Sequence, residues 1–108
     1  MTKDAIYQKE HSKLTEIFAD VEESKRKLVE GLIEDAAFLK SENFSIKTNL
    51  REIGMVNIHP SNPALQKPVE SARQYLRNVN SYAVIIKTLH GVLNKDIVEE
   101  EDDLEEFE

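Results

Sequence analysis

The side chains of this 108-residue chain with chemistry to offer are three histidines, 21 carboxylates and 14 lysines and arginines, because cysteine is absent. Without cysteine there is no disulfide framework, thiolate zinc site or cysteine nucleophile. His11, His59 and His90 fall in three separate stretches, and none has a second ligand at the helical spacing a metal pair needs. Gly31, Gly54 and Gly91 are too scattered for a phosphate-cradling loop, and no nucleophile elbow occurs. The acids that could be paired for proton transfer, Glu22 with Glu23 and Glu30 with Glu34 and Asp35, fall on the solvent side of amphipathic stretches. These residues predict a non-enzymatic protein with no catalytic residues, no metal and no cofactor.

The basic residues carry more information. Lys25, Arg26 and Lys27 form a run, while Lys9 with Lys13 and Arg73 with Arg77 are pairs four residues apart, each on one face of a helix. Such faces can grip phosphates in a sequence-tolerant, salt-dependent manner. Glu23, Glu30 and Glu70 lie close enough in sequence to neutralise them as ordinary surface pairs.

The net charge of -7 is unevenly spread. Residues 96–108 hold nine acids and no base, which leaves the remainder at +2. So acidic a run, with so little apolar content, predicts a disordered tail after a single helical domain over residues 1–95. Leu104 and Phe107 are two apolar anchors within it and candidates for partner binding. The tail could also compete with nucleic acid for the body's basic faces.

Apolar residues make up 40% of the sequence, with three glycines and three prolines, so helices are favoured over short strands. Three are expected, over about residues 2–20, 22–53 and 63–94. In the second, Leu28, Leu32, Ala36, Leu39, Asn43, Ile46, Leu50 and Ile53 follow a three-and-four rhythm, widened by Val29, Ile33, Ala37 and Phe44. Gly54 supplies its stop. The third repeats the rhythm through Leu65, Val69, Ala72, Leu76, Val79, Ala83, Ile86, His90 and Leu93. Between them GMVNIHPSNP reads as a loop, with Val56 and Ile58 as an apolar plug beneath it and Ser61 or Asn62 capping the next helix.

The fold class expected is therefore all-α, a long antiparallel helical hairpin with an additional N-terminal helix and a disordered acidic C-terminal tail. With the turn near His59, facing residue numbers should total about 118, setting Leu39 near Val79, Leu32 near Ile86 and Ile46 near Ala72. Tyr75, Tyr82 and Leu89 recur every seven residues beside the seam, joined by Val84, Ile85 and Val92. Tyr75, Tyr82, Ile85, Leu89 and Val92 are accordingly the expected interface of a homo-oligomer. Neither a signal peptide's apolar core nor a membrane-length apolar run occurs, so a cytoplasmic protein without membrane association is expected. The sequon Asn43-Phe44-Ser45 then has no route to glycosylation.

The stretch IFADVEESKRKLVEGLIEDAAFLKSE, Ile17 to Glu42, and the later NPALQKPVESARQYLRNVNSYAVIIKTL, Asn62 to Leu89, resemble the short terminase small subunits of bacterial prophages. Within the second stretch the pattern is carried by Ala72, Tyr75, Tyr82, Ile85, Ile86, Lys87 and Leu89. The resemblance implies a non-catalytic, oligomeric subunit in the host cytoplasm. It would bind double-stranded phage DNA and hand it to a terminase large subunit carrying the ATPase and nuclease. Larger relatives place a helix-turn-helix before the oligomerisation hairpin, and the short stretch before Ile17 leaves little space for one. The alternative is a helical protein-interaction module, a phage assembly or regulatory factor, that does not touch DNA.

Overall fold

A computed structural model of the chain describes the backbone of residues 1–106 and the side chains of residues 1–95. The element order is α1 (Lys3–Ile17), α2 (Glu23–Ile53), β1 (Val56–His59), β2 (Asn62–Pro68) and α3 (Glu70–Glu106). Thr2 starts α1 by accepting the Ala5 N–H on its hydroxyl at 3.1 Å, and Asp4 in the first turn complements the helix dipole. Gly54 ends α2 at a positive φ of 80°, its N–H donating to the Leu50 carbonyl at 2.7 Å.

The segment joining α2 to α3 corrects the all-α expectation. Instead of a loop and the first turns of a helix from residue 63, it forms an antiparallel two-stranded ribbon. Val56 pairs with Pro68, Asn57 with Lys67 and Ile58 with Gln66, followed by an irregularity at His59, which pairs with Asn62. Pro63 and Pro68 deny a helical ladder but are tolerated in a ribbon whose strands are both edges. Asn62 is therefore not a helix cap; its side-chain oxygen accepts the Ala64 N–H at 3.2 Å. The Val69 N–H donates to the Met55 carbonyl at 3.0 Å and closes the ribbon's base. Val56 and Ile58 plug nothing, because both are exposed.

A second correction concerns the acidic segment. Helix α3 continues to Glu106, so the backbone of residues 96–106 is helical where the composition predicts disorder. The side chains of Leu104 and Phe107 lie outside the described residues.

Contacts between α2 and α3 run in opposite chain order, displaced from the expected register. The Asn78 Nδ2 donates to Asn43 Oδ1 at 2.9 Å, and Lys40 Nζ sits 5.3 Å from the centre of the Tyr82 ring. Those partner numbers total 121 and 122, about one helical turn beyond 118. The ribbon is the cause, since its tip falls at Pro60 and Ser61 rather than at His59.

Burial is uneven across the expected rows: Ala36, Leu50 and Ala72 of the two seams are buried, while other members are not. Val29 and Ile33 of α2 are 2% and 4% exposed, whereas Leu28, placed in the seam, is 79% exposed. On α3, Leu89 is buried with Tyr82, Ile85, Ile86, Val92 and Leu93 packed around it, while Leu76 and Val79 face outward. The reason lies in α1. Its Leu14 and Phe18, with Val21 beyond, complete the same cluster, so α2 and α3 turn their rows toward a shared three-helix junction. Ala36 and Ala37 are fully buried, and as small residues they let helices approach closely.

Ile33→Ala should therefore lower unfolding free energy by about 2–5 kcal/mol, while Leu28→Ala changes it by less than about 0.5 kcal/mol. Urea denaturation of the two variants checks this; the reverse order would restore the seam read from the sequence.

Candidate functional site

The most constrained polar group is Glu10, a carboxylate only 5% exposed on the inner face of α1. It accepts the Tyr82 hydroxyl at 2.5 Å and pairs with the Lys13 ammonium at 3.0 Å. The Lys40 ammonium covers the Tyr82 ring, so the cluster draws on all three helices. Burial pushes the Glu10 pKa up, but the Tyr82 hydrogen bond and the Lys13 and Lys40 charges outweigh it, leaving the pKa below the usual 4.5. Burial, then the hydrogen bond to Glu10, holds the Tyr82 phenol well above its ordinary value, so it stays a donor at neutral pH. This is a satisfied structural tie, with no buried polar atom unpartnered among the described side chains.

Beside the tie, with Tyr82 in its lining, a groove of about 280 Å³ lies where α1, α2 and α3 meet. Ile6, Phe44, Tyr75 and Val79 form its apolar walls, Lys40 and Lys47 supply cations, and no carboxylate lines it. A larger groove of about 430 Å³ lies between α1 and α2, and Arg26, Lys27, Glu23, Glu30 and Glu34 all line it from α2. Its mixed signs make it a poor phosphate cradle.

The expected nucleic-acid residues do not form one patch. Lys13 pairs with Glu10 at 3.0 Å, Lys27 with Glu23 at 3.7 Å and Arg73 with Glu70 at 4.0 Å. Lys25, Arg26 and Lys27 start α2, whereas Arg73 and Arg77 start α3 beside the ribbon. Arg26 precedes Gly54 by 28 residues, about 42 Å of helix. Lys9 and Arg77 are exposed. The structure instead gathers a basic end around the ribbon. Residues 45–80 contain Lys47, Arg51, Lys67, Arg73 and Arg77 against Glu52 and Glu70, a charge of +3, and the remaining residues sum to -10.

The five residues expected at an oligomer interface are placed within the molecule. Leu89 belongs to the core, Tyr82, Ile85 and Val92 pack on it, and Tyr75 lines the lysine groove. Among the described residues, large apolar side chains are left exposed at Leu76, Val79 and Val84 on α3, at Ile53, Met55, Val56, Ile58 and Leu65 around the ribbon, and at Met1, Ile17, Leu28 and Phe38 elsewhere.

The histidines are held locally: His11 stacks on Tyr7, His59 Nδ1 accepts the Ser61 N–H at 3.2 Å, and His90 Nε2 lies 3.2 Å from Asn94 Nδ2. No group of three potential metal ligands occurs among the described residues. No described helix is long and apolar enough to cross a membrane.

Sequence reasoning missed the Glu10–Tyr82 pair, whose partners are 72 residues apart. Lys40, Phe44 and Lys47 were findable, because spacings of four and three put them on one helix face. Comparison with known proteins found no matching family model, curated protein or solved structure.

The lowered Glu10 pKa has a definite pH consequence. A carboxyl whose pKa falls on folding contributes stability that is present above its unfolded value and lost as pH falls through its folded value. Glu10→Gln should therefore flatten the decline in urea midpoint below about pH 4.5. Identical slopes in the two proteins would contradict that assignment.

Proposed function

We propose that the chain is a non-catalytic DNA-packaging adaptor of the terminase small-subunit kind. It self-associates, binds double-stranded phage DNA in the host cytoplasm and delivers it to a large subunit carrying the ATPase and nuclease. The observation that carries this reading is the charge polarity: the ribbon end holds five bases against two acids within an otherwise strongly acidic chain. A duplex presents one phosphate charge per about 1.7 Å of its axis, so a compact cationic end several residues wide can engage several phosphates at once. The ribbon itself, residues 54–69, has no acid and carries Lys67, and a two-stranded ribbon is one of the two elements a major groove admits. The resemblance of Ile17 to Glu42 and Asn62 to Leu89 to prophage terminase small subunits supports the same reading. Self-association multiplies such weak ends on one duplex.

A second reading, a protein-interaction module without DNA binding, is favoured by the ribbon's exposed Val56, Ile58 and Leu65. The two readings separate experimentally. Fluorescence anisotropy with duplex from phage genome ends should show binding at low salt that weakens steeply as salt rises. The double variant Arg73→Ala, Arg77→Ala should make the plot of log affinity against log salt shallower by about two units. No binding at low salt by a self-associated protein would remove the DNA reading. Loss of a protein partner on Ile58→Ser and Leu65→Ser, with no DNA binding to lose, would establish the second.

A further inference from the structure

We propose that the groove beside Tyr75 receives the acidic C-terminal segment, residues 96–108, of a second copy of this chain. The groove has apolar walls in Phe44, Tyr75 and Val79, two lysines in Lys40 and Lys47, and no lining carboxylate. Its occupant must therefore combine an apolar body with negative charge. Glu10 is tied to the Tyr82 hydroxyl and paired with Lys13, and it is not among the residues that line the groove.

The segment 96–108 has the complementary composition. It contains nine acids and no base, and Leu104 and Phe107 supply two apolar anchors three residues apart among them. The same copy cannot supply it. Helix α3 contributes Tyr75 and Val79 to the groove and runs on without a break to Glu106. Leu104 follows Val79 by 25 residues, about 37 Å along that helix. The donor is thus another molecule.

Long-range charge favours the same arrangement, since Lys47, Tyr75 and Val79 of the groove fall within residues 45–80, which carry +3, and the segment belongs to the part that carries -10. An interface between a groove on one copy and a terminus on the next is heterologous, and it propagates into a ring or a filament rather than closing as a two-fold dimer. The proposal shares self-association with the adaptor reading and is independent of DNA binding, which the anisotropy assay measures separately.

The experiment uses two full-length variants. One carries Lys47→Glu and Val79→Glu in the groove, both at exposed positions outside the core; the other carries Leu104→Ser and Phe107→Ser. Sedimentation velocity of the unaltered chain should show self-association, and each variant alone should associate at least about tenfold more weakly. An equimolar mixture of the two should regain association but stop at a heterodimer, because only one groove and one terminus remain competent. Circular dichroism and urea midpoints confirm that each variant folds; if the groove variant does not, Lys47→Glu alone replaces it in the mixture. A monomeric unaltered chain, variants that associate as strongly as it does, or a mixture that stays monomeric would overturn the proposal. So would a groove variant that loses DNA binding while keeping full self-association, which would assign the groove to nucleic acid.

Discussion

A carboxylate buried beneath α1 can be accommodated only if its charge is met from every side, and the position of α1 follows from that requirement. Glu10 is met by the Tyr82 hydroxyl from α3 and by Lys13 from its own helix, with Lys40 of α2 close by. A hydrogen bond to a charged group contributes more than a neutral one, and leaving the group unmet costs more still. Lys3 adds an ion pair to Glu42 at 2.9 Å, so α1 is fixed to α2 near its start, while Leu14 and Phe18 bury its other end. With α1 fixed, Val29, Ile33 and Leu89 have an interior to face.

The molecule then divides along its 75 Å length. The three-helix core, with α1 packed on both long helices, lies away from the ribbon, and α3 runs on past it to Glu106. At the opposite end the ribbon projects with every residue of both strands exposed. An isolated two-stranded ribbon is marginal in water, and apolar side chains such as Ile58 and Leu65 gain nothing by exposure. Internal packing and basic charge are thereby separated in space: the end with the least internal packing carries the excess of basic residues.

How much of this was legible in the sequence differs from residue to residue. Gly54 as the end of α2 was legible, because a residue in the left-handed region at that point has a local cause. The ribbon was not, since prolines at 60, 63 and 68 exclude a helix without choosing between a loop and paired strands. Choosing needs the cross-strand partners, which are long-range information. The apolar face of α2 was legible through Val29, Ile33, Ala36, Ala37 and Leu50, all buried, but how deeply each of its positions sits was not. Leu28 and Val29 fit a helical rhythm equally well, and only the docking of α1 decides between them. The same blindness turned Tyr82 and Leu89 into candidates for an external interface when they are the anchors of the internal one. Composition misjudged the acidic segment, whose backbone is helical to Glu106.

A double-mutant cycle between Glu10→Gln and Tyr82→Phe measures the central tie most directly. If the hydroxyl–carboxylate bond fixes α1 onto α3, the single variants should each destabilise the protein and the cycle should return a coupling of about 1–3 kcal/mol by urea unfolding at neutral pH. Additivity to within about 0.3 kcal/mol would mean that the two groups act independently and that apolar packing alone positions the helix.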